Sequence, residues 1–256
     1  MGRKVLIFIL IFVTLPVNAS ECTQQEAKNI LSNYQWYAED YPPYNYRDKQ
    51  GELIGIFTDV LLLIYKELDL SLSTKDILTV PWARLYQTLE NSSKHAAFNM
   101  LKTPKRDKLF QLVTLPLITK ISILVLNENK MSLINKDLDE LTIGVVRKDI
   151  GEYLLDQLNI DVTKVETISA SSLLQMLIGQ RIHAIAYAEA VANFQLTKLG
   201  FAQQEITSIY TLSNKLETAF IFHKDTPKCV TSLFAQTIAT LNAKGEIEKI
   251  SKQYHH

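Results

Sequence analysis

Short apolar runs alternate with amphipathic stretches along most of the chain, and this alternation is typical of an α/β fold. Strands are predicted over residues 34–38, 77–80, 96–100, 121–126, 141–146, 183–188 and 218–223. Helices are predicted over about 58–68, 84–90, 151–158 and 171–178, followed by two closing helices, the first with Val230, Phe234, Ile238 and Leu241 on one stripe. No internal repeat or Pro/Gly-rich linker interrupts the pattern.

The order of these elements predicts two α/β units, with the second inserted into the first. The chain would then cross between the units twice, along strands 121–126 and 218–222. Two crossing strands form a hinge, and a hinge between α/β units places a cleft at the strand ends. We therefore expect two lobes: lobe 1 from residues 20–124 and 219–256, and lobe 2 from residues 125–218.

The N-terminus has the pattern of a secretory signal peptide. Arg3 and Lys4 precede an uncharged run from residue 5 to 15, and small residues follow up to Ala19. The run is shorter than the roughly 20 apolar residues that span a bilayer. Residues 1–19 are thus predicted to be removed on export to the periplasm, with a retained membrane anchor as the alternative.

Charge and cysteine content narrow the class of protein further. Without the two basic residues of the leader, 25 basic and 27 acidic residues remain, so no basic surface for nucleic acid is expected. Cys22 and Cys229 are the only cysteines of the chain. In an oxidising compartment they predict one disulfide, and two free thiols are the alternative.

Several short motifs follow one another in a particular order. They are Tyr41-Pro42-Pro43-Tyr44, Gly51-Glu52-Leu53-Ile54-Gly55, Pro81-Trp82-Ala83-Arg84, Thr103-Pro104-Lys105-Arg106, Leu141-Thr142-Ile143-Gly144 and Leu177-Ile178-Gly179-Gln180-Arg181. With this ordered set the chain resembles the family 3 extracellular solute-binding proteins, which include periplasmic amino-acid receptors of ABC transporters. The resemblance implies a two-lobed type II periplasmic-binding-protein fold. It also implies a monomer that binds a small-molecule ligand, has an ABC-transporter permease as partner and needs no cofactor or metal.

Arg106 matches the arginine with which members of this family bind a ligand carboxylate. A guanidinium suits that role because two parallel N–H groups meet two carboxylate oxygens. Thr103 would add a hydroxyl or a backbone N–H group. The alternative is that Thr103 caps a helix and Arg106 pairs with Asp107.

Tyr41 and Trp82 match the aromatic side chains between which family ligands lie, although core packing is the alternative for each. The full set of candidate ligand-binding residues comprises Tyr41, Trp82, Asn99, Thr103, Arg106, Asp149, Glu189 and Asp40.

The chain departs from the family where the ligand ammonium is usually held by acidic residues. Those positions are Ala38 and Ala188. Glu39, Asp40 and Glu189 are adjacent, but a one-residue offset on a strand points a side chain the other way. The residue five before Arg106, usually small or hydroxylated, is Leu101. We therefore expect a carboxylate-bearing ligand that is not a standard α-amino acid.

Two other functions remain as alternatives. An enzyme, a lyase or hydrolase on the same fold, would need a recognisable catalytic group, and the chain has no Ser-His-Asp order, zinc spacing or phosphate loop. We expect no catalysis. A sensor that reports ligand to a membrane signalling partner would need the same ligand-dependent closure, so the sequence does not separate it from a transport receptor.

Overall fold

The computed structural model describes residues 22–201 and 205–254. Its strands are β1 (Gln35–Ala38), β2 (Tyr46–Arg47), β3 (Leu53–Ile54), β4 (Ile77–Thr79), β5 (His95–Leu101), β6 (Phe110–Leu126), β7 (Thr142–Val146), β8 (Thr163–Thr167), β9 (Ala184–Ala188) and β10 (Ile206–His223). Its α-helices are α1 (Gln24–Leu31), α2 (Ile56–Glu67), α3 (Trp82–Glu90), α4 (Pro104–Leu109), α5 (Lys130–Leu133), α6 (Ile150–Asp156), α7 (Ala170–Ile178), α8 (Glu189–Lys198), α9 (Lys228–Ala243) and α10 (Glu246–Gln253). The predicted alternation of strands and helices is confirmed.

Eight of the strands form one mixed sheet in the order β4-β1-β5-β10-β6-β9-β7-β8. β1 pairs in parallel with β4 and β5 on one side, and β7 pairs in parallel with β8 and β9 on the other. β6 and β10 lie between these groups and run antiparallel to each other. The group β4-β1-β5 belongs to lobe 1 and the group β9-β7-β8 to lobe 2.

The two crossing strands are much longer than the sequence pattern predicted. β6 has 17 residues and β10 has 18, and their pairing is interrupted by register shifts. One shift lies where Leu115 pairs with Thr218 and Ile118 pairs with Glu217, which leaves Pro116 outside the ladder. Proline has no N–H group to donate, so it is tolerated at such a bulge. The sequence pattern missed the first half of β6, residues 110–120, and the polar first half of β10.

An aromatic cluster forms the centre of lobe 1. Trp36 lies within 6.3 Å of Phe98, Phe220, Phe222 and Phe234, measured between ring centroids. A second apolar cluster lies in lobe 2 and includes Val125, Ile143, Val145, Leu155 and Ala186. The larger cluster, which contains Trp36, continues into lobe 2 through Leu173, Leu174 and Leu177.

The predicted disulfide between Cys22 and Cys229 is confirmed, with the two Cα atoms 5.8 Å apart. It connects the segment before α1 to the first turn of α9. Within the part of the chain that the structure describes, no helix is long and apolar enough to cross a bilayer. The predicted signal peptide, residues 1–19, lies outside the described residues and stays a prediction.

Candidate functional site

The site forms where the carboxyl ends of parallel strands from both lobes meet. In lobe 1, the chain leaves β1 at Glu39 and β4 just before Trp82, and it leaves β5 on the way to Arg106. In lobe 2, the loop after β7 contains Asp149, and β9 contains Tyr187 near its end. Ligands of open α/β sheets bind at this edge, because loops there bring side chains from several strands together.

Arg106 is a buried link between the two lobes, with 4% of its surface exposed. One guanidinium nitrogen donates to the carbonyl oxygen of Leu101 at 2.8 Å, and the other donates to the carbonyl oxygen of Lys148, in lobe 2, at 3.0 Å. The Cζ atom lies 5.3 Å from the centroid of the Trp82 ring. These two bonds use two of the five N–H groups of the guanidinium, so three remain for a ligand.

Thr103 is buried and caps α4. Its hydroxyl oxygen accepts a hydrogen bond from the backbone N–H of Arg106 at 3.2 Å. This is the capping contact that the sequence offered as an alternative role. Asp107 is exposed, whereas Arg106 is buried beside Trp82, so the structure provides no pairing of these two neighbours.

Two carboxylates, Glu39 from lobe 1 and Asp149 from lobe 2, share this buried region, with 8% and 7% of their surfaces exposed. Burial raises the pKa of Glu39 well above its ordinary value of 4.5, and the negative charge of Asp149 adds to this, while Arg106 opposes it. Burial also raises the pKa of Asp149, and the positive charge of Arg106 again acts in the opposite direction and lowers it. Neither carboxylate pairs with Arg106 within 4.0 Å among the described residues.

A tight turn fixes Glu39 and Tyr41. The backbone N–H of Tyr41 donates to the carbonyl oxygen of Asn45 at 2.7 Å, and the amide of Asn45 donates to the carbonyl oxygen of Glu39, also at 2.7 Å. The peptide bond between Pro42 and Pro43 is cis. Across the cleft, the ring of Tyr41 meets the ring of Tyr187 edge to face, with centroids 5.6 Å apart.

Asn99 occupies a β-bulge. Its neighbours Phe98 and Met100 pair with Phe220 and Ala219, which leaves Asn99 without a partner on β10. Its φ of 69° lies in the left-handed region, which asparagine tolerates better than most residues. The bulge therefore interrupts the side-chain alternation of β5 near the end of the strand and takes the buried amide of Asn99 out of the hydrogen-bond ladder.

Four buried polar atoms of this region have no hydrogen-bond partner among the described residues. They are Tyr41 Oη, Trp82 Nε1, Asn99 Nδ2 and Asp149 Oδ2. Buried polar atoms are normally hydrogen-bonded, so a group of orphans in a cleft indicates a place for a bound molecule.

Close packing of α6 against β9 fixes the position of the loop that contains Asp149. A Cβ atom on Gly151 would lie 1.9 Å from the carbonyl oxygen of Ala186, so only glycine lets α6 lie this close to β9. Lys148 has a φ of 63°, and its backbone N–H donates to Glu152 at 2.6 Å.

A cavity of about 160 Å³ opens beside this loop, lined in part by Thr103, Arg106 and Asp149. This is the size of an engineered cavity that admits benzene.

Two further contact groups join the lobes at the mouth of the cleft. On one side, the ammonium group of Lys148 lies 3.3 Å from Glu90 and 4.9 Å from the Tyr86 ring centroid. On the other side lie Phe194, Gln195 and Lys198, which we call the α8 rim. Phe194 packs on Tyr46 with ring centroids 5.0 Å apart, and Lys198 donates to the carbonyl oxygen of Arg47 at 2.8 Å. Gln195 donates to the carbonyl oxygen of Asp40 at 3.2 Å.

The structure brings most of the predicted site residues together in this buried region. Those that it gathers are Tyr41, Trp82, Asn99, Thr103, Arg106 and Asp149. Asp40 is exposed, because the chain turns after β1 and directs it to solvent. Glu189 accepts from Ser122 at 2.5 Å and pairs with Lys120 at 2.9 Å, and these contacts already occupy its carboxylate.

Sequence reasoning missed Glu39 and Tyr187. Side chains alternate between the faces of a sheet only while the strand continues, and β1 ends at Ala38, so Glu39 is free to point into the cleft. Tyr187 is a single large residue in the apolar strand β9, and nothing in its spacing separates it from a core residue. Within residues 22–201 and 205–254, no three His, Cys, Asp or Glu side chains are grouped so that they could hold a metal ion.

Two lobes joined by long crossing strands, with a buried polar cleft between them, define a ligand-binding protein of the periplasmic type. Residues 36–256 match the family model of bacterial extracellular solute-binding proteins, family 3. The match covers most of the chain, so this protein belongs to that family. The family is extracellular, which implies a periplasmic or secreted location. A comparison with curated protein sequences found no match.

Solved structures with the same fold include receptors and a sensor. The substrate-binding protein of an amino acid ABC transporter has a TM-score of 0.73 at 20% identity, with 86% of this chain and 97% of that chain covered. AbpA from Streptococcus pneumoniae, bound to L-arginine, has a TM-score of 0.74 at 18% identity, with 90% and 97% covered. A histidine kinase sensor domain has a TM-score of 0.74 at 14% identity, with 87% and 96% covered. These likenesses confirm the predicted type II periplasmic-binding-protein fold.

Proposed function

We propose that this protein is a periplasmic receptor that binds a small carboxylate-bearing, amino-acid-like solute between its lobes and delivers it to the permease of an ABC transporter. The observation that carries the proposal is the buried guanidinium of Arg106, which keeps three N–H groups free between two lobes. A ligand carboxylate would accept from these groups, and the aromatic rings of Tyr41 and Trp82 would enclose the rest of the ligand.

The relatives support this reading. Solved structures with this fold include the substrate-binding protein of an amino acid ABC transporter and AbpA bound to L-arginine. In the same proposal, residues 1–19 are the signal peptide, the mature protein acts as a monomer, and the ligand leaves chemically unchanged.

A thermal-shift screen of the purified protein tests the proposal. The panel contains amino acids, polyamines, dicarboxylates and small peptides, and each hit is repeated on Arg106→Ala. We expect at least one small acid to raise the melting temperature of the wild type and to lose its effect on the variant. Hits that act equally on both proteins, or no hit across the whole panel, would contradict the proposal. Conversion of a hit during incubation would identify an enzyme instead.

A sensor is the second candidate, because a histidine kinase sensor domain shares the fold over 87% of this chain. The two functions predict different genetic neighbours. Genes for a permease and an ATPase next to this gene would support transport, whereas a kinase or cyclase gene would support signalling.

A further inference from the structure

We infer that lobe 1 has a second binding surface, at which an extended acidic segment of a partner protein pairs with the free edge of β6 as an additional strand. The surface is a groove of about 740 Å³, lined in part by residues 110–114, Lys108, Lys224 and Lys228, and we call it the β6 groove. Among the described residues it shares no lining residue with the cavity beside Arg106. The inference therefore goes beyond the proposed ligand binding and does not depend on it.

The first argument is that β6 has a free edge in lobe 1. From Phe110 to Leu115 it pairs with β10, and its pairing with β9 begins only at Ile121. No other described strand lies next to this half of β6. Five consecutive residues, 110–114, line the groove, although their side chains alternate between the two faces of the sheet. The groove therefore follows the backbone edge, where N–H and C=O groups that do not face β10 can pair with a further strand.

The second argument is that this edge lacks the usual protection against pairing. Exposed edge strands normally carry charged side chains, often lysine, on the strand itself. Residues 110–119 of β6 include no charged side chain. Pro116, which lies outside the ladder, would interrupt an added strand, because proline has no N–H group to donate. The edge is thus open to pairing from Phe110 to Leu115.

The third argument is the charge around the β6 groove. Lys108 of α4, Lys224 in the loop before α9 and Lys228 of α9 are all exposed. None of them has a carboxylate oxygen within 4.0 Å among the described residues. Asp107 is the only acidic residue among the described residues that line the groove. Three lysines against one aspartate give the groove a positive charge, which is complementary to an acidic partner.

Side-chain hydrogen bonds hold the parts of the groove together. The amide nitrogen of Gln111 donates to the carbonyl oxygens of Lys224 at 2.8 Å and Thr226 at 2.6 Å. Its amide oxygen accepts from the hydroxyl of Thr231, on α9, at 3.1 Å. Strand, loop and helix are therefore connected before any partner binds, and a preformed surface loses less conformational entropy on binding than a flexible one.

Two other occupants fit the β6 groove less well. A second copy of this chain, paired edge to edge about a two-fold axis, would bring the three lysines of each copy together, and like charges oppose association. An anionic membrane would attract the lysines but leave the backbone edge of β6 unpaired. Three lysines are also fewer than the clusters of about four to eight that typically bind anionic lipid.

Peptide titration of the purified protein by calorimetry tests the inference. The probe is a short peptide of alternating glutamate and valine. One control peptide alternates lysine and valine, and a second is the glutamate–valine peptide N-methylated throughout, which keeps the charge but has no main-chain donor. We expect the unmodified glutamate–valine peptide to bind and both controls to fail. In its presence the amides of residues 110–115 should exchange more slowly with deuterium.

Two charge-reversal variants locate the binding surface. Together, Lys108→Glu, Lys224→Glu and Lys228→Glu should weaken binding of the glutamate–valine peptide about tenfold or more, because three attractions become repulsions. The matched control reverses three exposed lysines of lobe 1 outside the groove and should change the affinity less than about twofold. Its substitutions are Lys49→Glu, Lys66→Glu and Lys75→Glu. Melting temperatures equal to that of the wild type would show that both variants are folded.

Several outcomes would overturn the inference. Equal binding of the N-methylated peptide would show attraction of charge without strand pairing. Slower exchange away from residues 110–115, an equal loss of affinity in both variants, or no binding of the glutamate–valine peptide would also contradict it. Sedimentation of the protein alone and flotation with phosphatidylglycerol vesicles test the other occupants. Self-association or vesicle binding that is lost in the groove variant would assign the groove to a second copy or to a membrane instead.

Discussion

Arg106 donates a hydrogen bond to the backbone carbonyl oxygen of Lys148 over 3.0 Å, and this bond crosses from lobe 1 to lobe 2. The same loop of lobe 2 places Asp149 in the cleft and Lys148 on the Tyr86 ring. The lobes are therefore closed in this structure, and the residue proposed to bind the ligand carboxylate also forms part of the contact that holds them together.

We predict that Arg106→Ala shifts the ligand-free protein towards an open form. Removal of the guanidinium deletes the bond to Lys148 and leaves Glu39 and Asp149 without their nearest cation, so the closed form loses more than the open one. Small-angle scattering should show a larger radius of gyration than for the wild type. Arg84→Ala, which removes an exposed arginine, is the control and should scatter like the wild type. Identical curves for all three proteins would contradict the prediction.

Glu39→Gln is predicted to stabilise the ligand-free protein at neutral pH, by about 1–3 kcal/mol. Burial, and then repulsion from Asp149 and Asp40, raises the pKa of Glu39 above 4.5 despite Arg106, and the buried hydroxyls of Tyr41 and Tyr187 face the same region. A raised acid pKa means that the folded state binds a proton at a pH where the unfolded state has lost it. Proton binding by Glu39 therefore contributes to the stability of the folded state below pH 4.5. This contribution is lost as the pH rises through the raised pKa of Glu39.

Thermal melts from pH 4 to 8 would check this dependence. The melting temperature of the variant should exceed that of the wild type at pH 7, and the difference should shrink towards pH 4. Glu166→Gln, which removes a carboxylate on the surface of lobe 2, should change stability by no more than about 0.5 kcal/mol. A Glu39→Gln variant that is less stable at pH 7, or a difference that does not vary with pH, would show the assigned charge state to be wrong.

The sequence predicted those parts of the fold that depend on local apolar patterning. The buried strand β9 and the apolar stripe of α9 follow from the positions of their large residues, and the disulfide from the presence of two cysteines. β10 was predicted too short, because it is largely polar and only half-buried between Ile206 and Glu217. Pairing with β6 stabilises that half, and a partner strand leaves no periodic signal in the sequence.

Site residues that lie in a recognisable sequence motif could be predicted. Residues whose side-chain direction depends on where a strand ends or bulges could not. Arg106 and Trp82 lie in short motifs and both reach the cleft. Glu39 depends on the end of β1 at Ala38, and Asn99 depends on a bulge against β10. A one-residue change in where a strand ends or bulges reverses the face of a side chain, and a single sequence does not specify it.

Phe194→Ala is predicted to weaken ligand binding about 2- to 10-fold without lowering the stability of either lobe. The ring of Phe194 packs on Tyr46 across the cleft, so this contact is made only when the lobes are closed. Aromatic pairs contribute roughly 0.5–1.5 kcal/mol beyond their buried area, which corresponds to that loss of affinity. Calorimetric titration would measure it, with Phe201→Ala as a control that removes an exposed phenylalanine from the same lobe. Equal affinities for wild type and Phe194→Ala would show that the contact of Phe194 with Tyr46 does not contribute to ligand-dependent closure.

Reduction of the disulfide between Cys22 and Cys229 is predicted to lower the free energy of unfolding by about 2–5 kcal/mol while the ligand response persists. The bond spans 207 positions and connects the segment before α1 to α9, so it restricts most of the unfolded chain. Both cysteines belong to lobe 1, and neither is one of the cleft residues described above. Chemical denaturation with and without dithiothreitol would measure the loss, and a variant with both cysteines replaced by serine should be insensitive to the reductant. If reduction abolished ligand stabilisation at a temperature where the protein stays folded, the bond would have a role in the cleft that this geometry does not provide.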